Sequence, residues 1–133
     1  MAFAVATVVT TIGKAIFADR VRTTPATYTN SPKYVAMGTG ATGAARTAVV
    51  ADTVLSAQVE TRTSGTESVV TTGTTGDTYQ VVGTVTATTT RACDEGGLFD
   101  ASSSGNMFTS ATYNVISLTN GDSIQFTWKA QLT

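Results

Sequence analysis

The stretch NVISLTNGDSIQFTWKAQL, Asn114 to Leu132, decides the fold class. Two apolar-polar runs flank Asn120-Gly121-Asp122. Asn and Gly both tolerate positive φ, so this pair between alternating runs is the strongest short signal for a β-hairpin. In the second run Ile124, Phe126, Trp128, Ala130 and Leu132 fall on one face. Gln125, Thr127, Lys129 and Gln131 fall on the other. A period of two with one apolar face describes a half-buried strand.

The same pattern recurs upstream. In TYQVVGTVTATT, Tyr79, Val81, Gly83, Val85 and Ala87 share one face, while Gln80, Thr84, Thr86 and Thr88 share the other. VETRT and ESVVTT read as further strands, separated by Gly- and Ser-containing turns. KYVAMG is a short strand. ACDEGGLFD and NMFTSATY form a pair around an ASSSG turn. Strands at this spacing predict an antiparallel β-sandwich or barrel. Trp128, Phe126, Ile124, Tyr79, Val81 and Phe99 are the expected core.

Ahead of these strands the pattern changes. Residues 2–9 are apolar and β-prone and read as an N-terminal arm. Ile12, Ala15, Ile16 and Val21 then sit near helical spacing, which predicts one short helix over about 11–22, with Thr11 as its cap and Pro25 beyond its end. A linker-like loop runs to Pro32. The organisation is therefore an arm, helix and linker over 1–32 and a β-domain over 33–133. The stretch from Ala48 to Ser56 is ambiguous and reads as a turn or two of helix.

Composition supports a β protein. The chain has 133 residues, of which 41% are hydrophobic and only 13% charged. Threonine supplies roughly a fifth, far above ordinary usage. It is β-branched, so it suits a pleated strand while showing water a hydroxyl. With a net charge of −1, such a surface is poorly protected from association. Eight scattered basic residues form no patch for nucleic acid. One cysteine, Cys93, excludes an internal disulfide framework and a Cys-rich zinc site. There is no histidine, which removes the usual general base and the commonest metal ligand. AFAVATVV lacks the basic start and length of a signal peptide, and no run reaches the roughly 20 apolar residues of a membrane helix. The expectation is a soluble protein made in the cytoplasm, with no membrane partner and no cofactor.

Several stretches could carry chemistry. DEGGLFDASSSGNMF places Asp94, Glu95 and Asp100 in a short Gly- and Ser-rich span. A calcium loop needs oxygen ligands at close alternating positions, and Leu98 and Phe99 break that spacing. A carboxylate pair for glycoside hydrolysis is not decided by spacing. The structural reading, a strand with a Gly96-Gly97 bulge followed by a turn, is favoured. GTGATG, residues 38–43, lacks the ending of a P-loop and the spacing of a dinucleotide fingerprint, so it reads as a turn. Cys93 has no histidine to activate it and reads as a buried strand thiol. Thr84, Thr86 and Thr88 form one hydroxyl row of the kind found in ice-binding arrays, which need several. Lys14, Lys33 and Lys129 could form isopeptide bonds, but nothing marks a partner. The chain is read as a non-enzyme, with a carboxylate-only hydrolase as the contrary case.

The order of IGKAIFADR, SPKYVAMGTGATGAA, ADTVLSAQVETR, TYQVVGTVTA, EGGLFDASSSGNMF and NGDSIQFTWKAQL resembles small β-rich virion proteins of tailed bacteriophages, most of all capsid decoration, or cement, proteins. The resemblance runs from about Thr11 onward. It implies a structural role on the exterior of an icosahedral capsid, bridging major capsid protein subunits, with copies assembling as homo-oligomers, often trimers. The alternative it implies is a tail- or fibre-associated virion protein contributing to host contact, in which case the loop Ser102–Ser104 would matter. The segment before Thr11 lies outside the resemblance. From its apolar, uncharged character we assign it an assembly role, with Phe3, Val5, Val8 and Val9 as interface residues, joined by Tyr28 and Tyr34 around the linker.

Overall fold

A computed structural model describes residues 5–21, 24, 27–43 and 45–133, apart from the side chains of residues 5 and 6. Its elements in chain order are β1 (Val5–Val9), α1 (Thr11–Arg20), β2 (Tyr34–Gly38), β3 (Gln58–Ser64), β4 (Thr66–Val70), β5 (Thr78–Thr86), β6 (Arg91–Phe99), β7 (Met107–Leu118) and β8 (Ser123–Gln131). All pairings are antiparallel. The strands form two sheets, of order β1-β7-β6-β2-β3 and β4-β5-β8. The fold is mainly β, as the alternation predicts. Among the described residues the two sheets form a sandwich and do not close into one barrel.

The core lies between the sheets. Val35 and Met37 of β2, Leu98 of β6 and Ala111 of β7 meet Val81 and Val85 of β5 and Trp128 of β8. The expected alternation is visible on β5, where Val81 and Val85 are buried while Thr84 and Thr86 are exposed. Phe99 points the other way. It joins Ala36, Leu55 and Met107 in a second, smaller cluster, beneath the Arg62 guanidinium, which stands 3.4 Å from the ring centre. A cation over an aromatic face is attracted by the ring quadrupole.

One side of the sandwich is shut by the chain itself. β3 passes into β4 through Gly65 alone, so a single ribbon turns the corner from one sheet to the other. A Cβ at Gly65 would lie 2.6 Å from the Val81 side chain and 2.9 Å from the Val82 carbonyl, which is why no larger residue fits. On the opposite side β1 and β8 end their sheets without such a corner.

Local expectations hold in part. The helix begins at Thr11, and Thr10, not Thr11, caps it: its hydroxyl accepts the Gly13 N–H at 2.9 Å. The helix ends at Arg20; residues 22 and 25 lie outside the described residues. The runs NMFTSATY and NVISLT are one continuous twelve-residue strand, β7. The stretch 48–56 holds no helix. Its amides are taken by side chains: Ala48 donates to the Thr112 hydroxyl, Val49 to Asp52 and Ser56 to Glu95. Side-chain acceptors of this kind compete directly with the helical ladder. The arm Val5–Val9 is the outer strand of the larger sheet, with Val5 opposite Tyr113 and Val9 opposite Thr109.

Three carboxylates outside that core sit below the ordinary range. The Thr88 hydroxyl, then Arg91, hold Glu60 down. The amides of Thr74, Thr72 and Gly73 do the same for Asp77, and the Thr119 amide and hydroxyl for Asp122. Their folded values lie below their unfolded ones. The stability they add is therefore complete above the unfolded carboxylate values, near about 4, and is lost as pH falls through and below them. The thermal midpoint should be flat between neutrality and mild acid, then fall. An Asp77→Asn variant should show a shallower acid slope; a slope like the parent's would remove Asp77 from this account.

Candidate functional site

The stretch with the most concentrated chemistry, Asp94 to Asp100, lies on β6 and its exit. Glu95 is fully buried and Asp94 nearly so. Register is lost between Cys93 and Glu95. This shift turns Asp94 and Glu95 toward the loop of residues 39–57, while Cys93 and Leu98 face the core.

Every carboxylate there accepts from backbone amides. Asp94 takes the Ala41 N–H at 2.9 Å and the Gly43 N–H at 2.8 Å. Glu95 takes the amides of Ala57 at 2.7 Å, Ser56 at 3.1 Å and Gly40 at 3.2 Å. Arg46 reaches Glu95 at 3.4 Å and Asp52 at 3.2 Å, and Ser110 donates to Asp52 at 2.8 Å. Asp100 accepts the Asn106 amide and side chain, at 2.7 and 2.8 Å, and so ties the ASSSG turn. Arg62 straps the same turn through the carbonyls of Ala101 and Ser104.

Two motifs that the sequence shows separately are thus partners. The glycine loop 38–43 offers the amides, and Asp94 and Glu95 take them. A phosphate on this loop would need those same N–H groups. Glycine is required because the backbone comes so close: a Cβ at Gly40 would stand 2.9 Å from Glu95 and 2.5 Å from Ser56. Asp94 and Glu95 organise the 39–57 loop, and Asp100 organises the turn after β6. Sequence alone holds one signal for the match: a run of carboxylates and a run of unpaired glycine amides in the same chain.

The other flagged residues are dispersed. Cys93 is buried, 3.6 Å from the Met37 sulfur, and burial pushes its thiol up, which leaves little thiolate. Thr84 stands opposite Gln125 and Thr86 opposite Ser123, so the threonine row does not repeat across the sheet. Lys33 lies 3.9 Å from Glu67. Among the described residues no group of three or more metal-ligating side chains gathers, and no helix is long and apolar enough to cross a membrane.

Of the residues assigned to assembly, Phe3 lies outside the described residues, as does the Val5 side chain. Val8 and Val9 are half-buried. Tyr28 packs on the main core and Tyr34 on the smaller cluster. Among the described residues of the set, the valines lie on β1 while the two tyrosines pack on different clusters. Two features were not foreseen. Val49, Val50 and Val54 are exposed on the carboxylate-held loop. A cavity of about 620 Å³ opens on the β1–β8 side, lined among others by Tyr113, Ile116, Ile124, Phe126 and Trp128. The strand alternation correctly put Ile124 and Phe126 on the inward face, but strand order, which makes that face accessible, is invisible in the sequence.

No protein-family model matches the chain, and the searches of curated proteins and of solved structures returned no match.

Proposed function

We propose that this chain is a non-enzymatic virion structural protein that decorates and stabilises an icosahedral capsid by bridging major capsid protein subunits, as an oligomer of its own copies. One observation carries the non-enzymatic half: the carboxylates of the most charged stretch are held by backbone amides and shape loops. What remains for the surface is threonine, few charges and exposed valines. Such a surface favours being covered. Many weak contacts repeated over a lattice then sum to firm attachment. The resemblance of the ordered motifs to phage decoration proteins supplies the capsid half.

The contrary placement is the tail or a fibre, where the exposed Ser102–Ser104 loop would face the host. Imaging purified particles at a resolution that traces this chain separates the two. Repeated copies on the outer head surface support the proposal. Copies confined to the tail support the alternative.

A further inference from the structure

The open side of the sandwich has an edge of a particular kind. β3 is blunted: Glu60 has φ 61 within an irregular pairing, and Arg62 adds charge. β4 and β1 are five residues each, and β4 carries Glu67. β8 runs nine residues with no proline and no register shift, and Lys129 is its one charge. Long, uncharged edges are what solitary proteins avoid.

The hydrogen bonds at its two ends show which groups are free. Gly121 N–H donates to the Ala87 carbonyl, Ala87 N–H to the Asp122 carbonyl, and Leu132 N–H to the Asp77 carbonyl. Main-chain groups alternate in an antiparallel pair. Those of Ile124, Phe126, Trp128 and Ala130 therefore turn toward β5. Those of Ser123, Gln125, Thr127, Lys129 and Gln131 turn outward, with no strand beyond them among the described residues.

This edge complements itself. Set antiparallel to a second copy about Thr127, it engages the whole strand: Thr127 meets Thr127, Gln125 meets Lys129 and Ser123 meets Gln131. Every pair belongs to the outward-facing set, so every pair can exchange main-chain hydrogen bonds. Lys129 faces a glutamine, so no like charges oppose. On the inner face Phe126 comes beside Trp128 of the second copy, an aromatic cross-strand pair, next to the apolar cavity.

We propose that the free edge of β8 joins two copies of this chain into a two-fold dimer with one continuous sheet, three strands from each copy. The interface is isologous. It stands independently of the virion reading. It also departs from the threefold clusters that the resemblance implies, because this edge meets itself.

Sedimentation velocity on the full chain tests the pairing. The expected species has twice the 13.7 kDa chain mass. Thr127→Lys sets two ammonium groups face to face on the axis. Thr127→Pro removes an outward N–H without touching the β5–β8 ladder. Each should raise the dimer dissociation constant about tenfold or more, with an unchanged β circular dichroism signal. Thr84→Lys, exposed on the same sheet but away from the edge, should leave it alone. A monomer at high concentration, a threefold mass, or a dimer indifferent to both Thr127 changes would overturn the proposal.

Discussion

Replacing Glu95 by alanine is expected to cost about 3–5 kcal/mol of folding stability, the usual range when one side of a buried ionic contact is removed. The carboxylate is fully buried and holds three backbone amides besides Arg46. Alanine would leave those amides without their acceptor, at about 1–3 kcal/mol for each that water cannot reach. Water will reach some of them as the 39–57 loop loosens, which keeps the sum near the lower figure. Glu95→Gln preserves size but turns an N–H₂ group toward donors, so it should fall between parent and alanine. Urea unfolding gives the numbers. Hydrogen exchange should show the amides of Gly40, Ser56 and Ala57 losing protection first. A carboxylate that worked in turnover would behave the other way, with the fold intact after substitution; a cost under about 1 kcal/mol would contradict the scaffolding role.

Trp128→Ala should be comparably severe, at about 3–5 kcal/mol, from lost burial plus the cavity left behind. The ring is 7% exposed and stacks on Phe126, with centroids 6.0 Å apart and planes 14° from parallel. Gly96 makes room for the pair: a Cβ there would lie 2.9 Å from the Phe126 ring and 3.4 Å from Trp128. The indole Nε1, however, is buried without an acceptor among the described residues. A donor in that state subtracts from stability. Trp128→Phe removes it, keeps an aromatic ring, and should cost no more than about 1.5 kcal/mol. Equal losses for the two variants would mean that the indole nitrogen has a partner, and that this tryptophan is anchored by polarity as well as packing.

Much of the architecture is legible in the sequence because period-two burial is a local property. The β5 and β8 alternations, the Asn-Gly turn and the capped helix are each written within a dozen residues. What the sequence hides is non-local. The 48–56 stretch reads as a turn or two of helix, yet it is irregular because its amides find acceptors in Thr112 of β7, Glu95 of β6 and Asp52 beside them, the first two far off in the chain. Phe99 sits in a strand whose register shifts, so its face cannot be counted from Leu98's neighbours alone, and it lands in the smaller cluster. The arm's pairing with β7 depends on which edge is vacant. For the site, the identity of the reactive-looking residues was readable but their mutual engagement was not. Asp94 and Glu95 meet the 38–43 glycines only after β2 and β6 lie side by side.

A particle reconstruction that traces this chain bears most directly on the assignment. The expected map shows a two-sheet sandwich at every equivalent position on the outer head surface, in contact with more than one shell subunit. A chain found only in the tail, or missing from mature particles, would contradict it.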